Sequence, residues 1–384
     1  MRPAWRPFPR AISLPQQHRR SIADARPFRA GDHILLRATR DRNATPLLRG
    51  PLTPGKRIDT HKGVLHHDDI IGKRVRDVVR TAPLKSGKDG FDFRVHDVKL
   101  EEYARMSRRL VTPIYPWDAG LIVSLLDLHP EVYDPQMDAE SEPRLEILEA
   151  GTGHGALTLY LSRAIHAANP PKADLDLEAW KSRRRAVIHT IDIAHQYSNH
   201  AQSTIAAFRQ GMYSGNIDFH TGNVSDWLAR ALPERDNEPF LSHAFLDLPG
   251  SDGHMAKVAE ALRCDGTLVV FNPSITQIMD CAKVVKKEGI PLELETVVEL
   301  GVNGGSGGRE WDVRPVKPRA ATKNQEGAED SGVEVDEDGA RDPVSDAAKD
   351  QGDWAMVCRP KVGDRVVGGG FLGVWKKQRD MRSA

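Results

Sequence analysis

Five short apolar runs between Leu145 and Ser274, set apart by turns and stretches of helical spacing, leave this chain few ways to fold. They are LEILEA, AVIHTIDI, NIDFHTGNV, LSHAFLDL and GTLVVFNPS. Among them lie three helical stretches. One is GTGHGALTLYLSRAIHAAN, with Ala156, Leu157, Leu159, Tyr160 and Ile165 on one face; the others are HQYSNHAQSTIAAFRQG, which stops at Gly211, and GHMAKVAEALR. Strands separated by about ten to fifteen helical residues cannot close as hairpins, so they need crossover connections and a parallel sheet covered on both faces. An open, mostly parallel α/β sheet is therefore expected within residues 101–384. A further helix is expected over Ile275–Glu288, and late strands in ELETVVELG, REWDVRPVK, AMVCRPKVG and GGFLGVWKK.

Ahead of that domain, residues 28–100 carry short β-type runs punctuated by Gly and Pro, which predicts a small β-barrel-like domain. Trp117–Leu128 then has helical spacing. No apolar run approaches the roughly 18 residues a membrane-spanning helix needs, so no membrane segment is read. Cys264, Cys281 and Cys358 are far apart and form no CxxC pair, which indicates neither a disulfide framework nor a thiolate metal site. Acids and bases balance at 54 each, yet eleven of the acids fall between Ala321 and Asp353 against three bases. This stretch lacks aromatics and cannot bury enough apolar surface to order itself, so 317–353 is expected to be a disordered insertion between two late strands. Without it, 51 basic residues face 43 acidic ones, a balance that permits a polyanionic partner. The first 27 residues hold Arg2, Arg6, Arg10, Arg19, Arg20 and Arg26 with no acid before Asp24. They read as a mitochondrial transit peptide, the alternative being a basic arm that helps bind RNA.

The chemistry concentrates at the ends of the five apolar runs. In EILEAGTGHGAL, Gly151, Gly153 and Gly155 let the backbone turn sharply from strand to helix and let a ligand approach it closely. A dinucleotide fingerprint would place its third glycine deeper in the helix; here the pattern is G-x-G-x-G behind Glu149, which suits a cationic, amino-acid-bearing ligand such as S-adenosyl-L-methionine. Asp192 closes the next strand, where an acid accepts hydrogen bonds from ribose hydroxyls or caps a helix. Asn223, Val224 and Asp226 follow the third strand, within reach of an adenine edge. Asp247, in FLDLPG, stands at the carboxyl end of a central strand, where open α/β sheets bind their ligands.

The quoted motifs, with RAGDHILLRA, THKGVLHHDDIIGK, TPIYPWDAGLIV, FNPSITQI, REWDVRP and GGFLGVW in this order, resemble the tRNA 1-methyladenosine methyltransferases that modify position 58. The likeness is to the catalytic subunit of the eukaryotic enzyme and its bacterial, archaeal and mitochondrial relatives. It implies a class I S-adenosylmethionine-dependent methyltransferase fold and a tRNA substrate methylated at adenine N1 in the T-loop. It implies that the domain of residues 28–100 is an appendage for RNA binding or subunit contact, and it implies a tetramer of one subunit, or of catalytic and non-catalytic RNA-binding chains, and a mitochondrial matrix or nuclear location. Laid onto this sequence, Glu149, Gly151, Thr152, Gly153, His154, Gly155 and Ala156 would hold the methionine part of the cofactor. Asp192 would hold its ribose and Asn223 its adenine; Tyr197 replaces a basic residue of several relatives. Asp247 would be the catalytic acid and touch the donor, Tyr115 would be catalytic with it, and Tyr115, Asp118 and the motif residue Gln277 would line the target-base pocket. Trp117 would offer an aromatic face or pack in the core, and Arg105, Arg108, Arg109, Arg309 and Arg314 could reach phosphates. The competing readings are a non-catalytic RNA-binding partner subunit, a methyltransferase acting on protein or a small molecule, and a nicotinamide-dependent dehydrogenase.

Overall fold

The computed structural model describes residues 26–41, 44–83, 90–136, 143–171, 177–301, 311–316, 355–360 and 369–379. The first 25 residues and the acidic stretch 317–354 lie outside the described residues, as does Arg309.

The N-terminal domain is antiparallel throughout. Strands β1 (Ile34–Ala38), β2 (Leu47–Arg49), β5 (Val78–Arg80) and β6 (Asp92–Asp97) form a sheet of order β2-β1-β6-β5, beside a hairpin of β3 (Arg57–Thr60) and β4 (Gly63–His66). Successive side chains of a strand point to opposite faces, and β1 uses both. Ile34 and Leu36 enter a small core with Phe28, Leu52, Ile58, Leu65 and Phe93, whereas Leu35 enters the core of the following domain with Val98, Leu100 and Tyr103. The domain is thus fused to its neighbour rather than appended to it. Ion pairs and hydrogen bonds reinforce the joint: Asp32 receives Arg26 at 2.6 Å and Gln210 at 2.8 Å, Arg37 pairs with Glu102, and the Tyr103 hydroxyl donates to Thr204 O at 2.7 Å. Burial would raise the Asp32 carboxyl, but these donors, Arg26 first among them, hold it below the usual range.

Helices α1 (Leu100–Met106) and α2 (Pro116–Leu126) lead into the large sheet. Its strands are β7 (Leu145–Ala150), β8 (Ala186–Asp192), β9 (Ile217–Thr221), β10 (Leu241–Leu246), β11 (Leu262–Asn272), β12 (Leu292–Leu300) and the final β-strand, Gly370–Lys377. The helices between them are α3 (Ala156–Ile165), α4 (Leu177–Ser182), α5 (His195–Ala207), α6 (Val224–Ala231), α7 (Met255–Ala261) and α8 (Ile275–Glu288). A separate antiparallel hairpin pairs β13 (Trp311–Val316) with β14 (Ala355–Pro360), so the final strand is β15. Residues 317–354 separate β13 from β14 in the sequence.

The order β12-β15-β11-β10-β7-β8-β9 is parallel from β11 to β9 and antiparallel around β15. Both faces are covered, and β7 shows how: Ile147 belongs to the apolar cluster formed with α2, α3 and α5, and Leu148 to the one formed with α6, α7 and α8. The predicted face of α3 is buried entirely. Two differences stand out. Helix α5 ends at Ala207, and Phe208–Gly211 turns through left-handed Arg209 and Gln210, which delivers the Gln210 amide to Asp32. Helix α6, absent from the sequence expectations, begins directly after Asn223, so Val224 and Asp226 lie in its first turn. Among the described residues no helix is long and apolar enough to cross a membrane.

Candidate functional site

Strand order reverses between β7 and β10: from β7 the chain steps outward to β8 and β9, then returns to β10 and β11 on the other side. The loops leaving β7 and β10 consequently diverge and open a crevice at the carboxyl ends, the place where such sheets bind ligands. A cleft of about 640 Å³ lies there, a size suited to a cofactor. It is lined by the glycine turn after β7, by Asp192 and Ile193 after β8, by Gly222–Val224 after β9, and by Asp247–Pro249 and His254 after β10.

The backbone at these strand tips is stitched together. Gly151 N donates to Ile191 O at 2.9 Å, Asp247 N to Ala150 O at 2.8 Å, and Gly222 N to Asp192 O at 2.9 Å. Gly151, Gly153 and Gly155 have φ of +97°, +55° and +84°, a region that L side chains rarely adopt. At Gly151 space is equally decisive, because a Cβ would sit 2.1 Å from the Asp247 carbonyl oxygen.

Three carboxyl groups converge on this turn. Glu149 is buried beneath it, receiving Thr158 Oγ1 at 2.6 Å and a hydrogen bond from Thr190, whose hydroxyl also meets that of Thr152 at 2.7 Å. Its carboxyl is pushed up to about 7, by desolvation first and then by the charges of Asp247 and Asp192. Asp192 accepts from Gly153 N at 3.2 Å, so it braces the glycine turn; the cap position of α5 is Ala194, not Asp192. The Asp247 carboxyl also rises to about 7, through desolvation and the nearby Asp192. Among the described residues no donor bonds to it, so it does not cap its own Pro-Gly turn, and it lines the cleft.

The remaining residues divide clearly. Thr152, Gly153, His154, Ala156, Asn223 and Tyr197 all line the cleft. His154 is anchored from below, donating from Nε2 to Ala104 O at 3.0 Å, and burial pushes its pKa down. Asn223 is the N-cap of α6: its side-chain oxygen accepts from Ser225 N at 2.8 Å and Asp226 N at 3.4 Å, which leaves the amide NH₂ for a ligand. Gly155 lies behind the turn, where a Cβ would meet Ile205 at 3.1 Å. Tyr115, Asp118 and Gln277 are not in the lining. Tyr115 occupies the N-cap position of α2 under the Arg109 guanidinium, 5.5 Å from the ring centre, and Asp118 is buried in that helix's first turn. Gln277 is exposed and completes a capping box on α8, accepting from Ser274 N at 3.2 Å. Trp117 is 43% exposed, which removes the core-packing alternative.

Sequence reasoning missed two parts of the lining. One is Val111–Ile114, the extended strap before Tyr115; Val111 lies 3.5 Å from where a Gly153 Cβ would be. Its signal was TPIYP itself, since Pro113 and Pro116 exclude helix until α2 starts. The other is His254, whose Nδ1 shares a 2.7 Å hydrogen bond with Ser225 Oγ.

Against known proteins, a family model described as TrmI-like N-terminal matches residues 27–75. A tRNA (adenine(58)-N(1))-methyltransferase TrmI of Thermus thermophilus is 30% identical over 254 residues, which cover 66% of this chain and 78% of the relative. The chain belongs to the TrmI family. A Methanocaldococcus jannaschii relative, named a tRNA (adenine(57)-N(1)/adenine(58)-N(1))-methyltransferase, is 24% identical over 56% of this chain and 71% of its own length. Two solved structures share the fold across both chains. An S-adenosylmethionine-dependent O-methyltransferase of Thermotoga maritima has a TM-score of 0.55 and 17% identity, covering 94% of this chain and 98% of its own. The tRNA (m1A58) methyltransferase TrmI of Aquifex aeolicus has a TM-score of 0.51 and 19% identity, covering 92% and 99%.

The cleft of this TrmI-family chain fits S-adenosyl-L-methionine, its cofactor. The donor set is acidic where the ligand is cationic, and the glycine turn leaves room at Gly151 that a Cβ would fill. Glu149 and the Gly151–Ala156 turn would hold the amino-acid end, and Asp192 the ribose hydroxyls.

Proposed function

We propose that this chain is an S-adenosylmethionine-dependent methyltransferase that forms 1-methyladenosine at position 58 of tRNA. One observation carries the reading beyond family membership: Asp247 reaches the cleft at the β7/β10 divergence with a carboxyl that no donor among the described residues satisfies. A carboxyl so placed has its acceptor capacity available for a substrate.

The cofactor supplies an electrophilic methyl group on a sulfonium. Adenine N1 has an in-plane lone pair and needs no base to deprotonate it; what it needs is orientation and relief of the charge that methylation creates. Asp247 serves both, accepting a hydrogen bond from the N6 amine and standing beside the cationic ring as it forms. Its pKa of about 7 lets it become more fully ionised when a cation arrives. Because N1 lies on the pairing edge, the base must be turned out of the folded tRNA to enter the cleft, which Val111–Ile114 help to line.

The deciding experiment replaces Asp247 with Ala in cells that carry no other copy and maps 1-methyladenosine in cytosolic and mitochondrial tRNA. Loss in one pool assigns both the residue and the compartment; persistence in both pools refutes the role of Asp247. The arginine-rich, acid-poor start of the chain supports a mitochondrial matrix location, and a cytosolic signal from residues 1–29 fused to a fluorescent reporter would contradict it. A tetramer, of this subunit alone or with a non-catalytic RNA-binding chain, is the assembly proposed by the family resemblance, and light scattering of the purified protein tests it.

A further inference from the structure

The segment between α1 and α2 has no regular secondary structure and carries more than cleft wall. It is tied down at its start: His154 Nε2 donates to Ala104 O in the last turn of α1 at 3.0 Å, and His200 Nε2 to Arg108 O at 2.7 Å. Arg108 and Arg109 are exposed, and neither pairs with a carboxylate among the described residues. Arg109 instead lies over the Tyr115 ring and donates from Nη2 to Arg105 O at 3.0 Å, which holds its guanidinium against the strap. Val111–Ile114 then line the cleft, and Trp117 follows on the first turn of α2, 43% exposed.

An exposed tryptophan two residues along from Tyr115, whose ring carries the Arg109 guanidinium, is well matched to one occupant. Single-stranded nucleic acid presents π-faces that stack on aromatic rings and phosphates that take guanidinium, and it does so with little dependence on sequence. A base turned out of the tRNA into the cleft leaves its chain neighbours unstacked at the lip. We propose that Trp117 is a stacking platform for an unpaired nucleobase flanking the methylated adenine, with Arg108 and Arg109 holding the adjoining phosphates. Trp117 is thus a positioning residue that acts outside the cleft, distinct from the pocket that receives the reacting base. This rests on the tRNA methyltransferase reading above.

Full-length protein, tritiated S-adenosylmethionine and an unmodified tRNA transcript test it. Trp117→Ala is expected to raise KM for tRNA about 10- to 100-fold, the range for losing one stacked base. Trp117→Phe should stay within about threefold, since any aromatic face serves. The dissociation constant for S-adenosylmethionine and the thermal midpoint should not move in either variant, which excludes a folding or cofactor defect. Arg108→Gln with Arg109→Gln should lower the slope of log affinity against log salt by about two, one for each phosphate contact. An unchanged KM in Trp117→Ala, or a Phe variant as poor as the Ala variant, overturns the platform while leaving the enzyme assignment intact. A wild-type chain that binds the cofactor and leaves tRNA unmethylated overturns the assignment itself.

Discussion

Replacing Asp247 with Asn should make the empty protein more stable while it ruins its activity. The folded-state carboxyl titrates near 7 against an ordinary value of 3.8, through burial and the neighbouring Asp192. At about 1.4 kcal/mol per pKa unit, the roughly three-unit rise corresponds to about 4 kcal/mol of instability once the group is ionised. Water at the mouth of an open cleft relaxes part of that, so about 2 kcal/mol is the expected gain for the uncharged amide at pH 8. The sign follows from proton counting: between the unfolded and folded pKa the native state binds more protons, so the wild type loses stability as pH rises toward 7 and the variant does not. Near pH 5.5 the advantage should shrink to about half. Urea unfolding of cofactor-free protein at both pH values measures this, and transfer to tRNA should fall by at least about 100-fold. A variant less stable than wild type at pH 8, or an advantage that does not change with pH, would refute the claim that this carboxylate is held unsatisfied in the fold.

Two other expectations follow from the same geometry. Affinity for S-adenosylmethionine should fall as pH drops from 8 to 6, because Glu149 and Asp247 both protonate near 7 and a cationic ligand favours their ionised forms; calorimetry that finds no such dependence contradicts the electrostatic reading of the cleft. Gly151→Ala should abolish cofactor binding and cost more than about 2 kcal/mol of stability, since its Cβ would sit 2.1 Å from the Asp247 carbonyl at a φ of +97°. Gly222→Ala is the control: a Cβ there meets nothing within 4 Å, so only backbone strain remains, and equal losses in the two variants would show that close packing of the β7 and β10 tips is not what matters.

Much of this was legible in the residues because parallel strands buried on both faces are rich in apolar residues, and β7, β8, β10 and β11 each carry a short apolar stretch. The acids at their ends were legible for the same reason: Glu149, Asp192 and Asp247 each interrupt an apolar segment at the tip. Helix α6 was not, because it buries only Val224, Leu228 and Ala231 and its capping residue, Asn223, also suits a ligand contact. Gln277 was read as part of the site although Ser274 three residues earlier forms the capping-box signature with it. In TPIYPWD the segment was identified and the residues were not. Spacing shows that two prolines delay the helix, but which of Pro113, Ile114 and Tyr115 turns toward the cleft depends on how α1 and α3 are packed. The division of β1 between two cores was hidden likewise, since Ile34, Leu35 and Leu36 read as one hydrophobic run.

The central claim, that Asp247 faces a methyl donor across the strand tips and presents adenine N1 to it, has a direct measurement. Purified wild-type and Asp247→Asn proteins are given S-adenosylmethionine and unmodified tRNA, and the product is digested and mapped by mass spectrometry. One methyl group per tRNA, on N1 of adenine 58, from the wild type and almost none from the variant is the expected result. Methylation at another atom, or undiminished methylation by the variant, would contradict it.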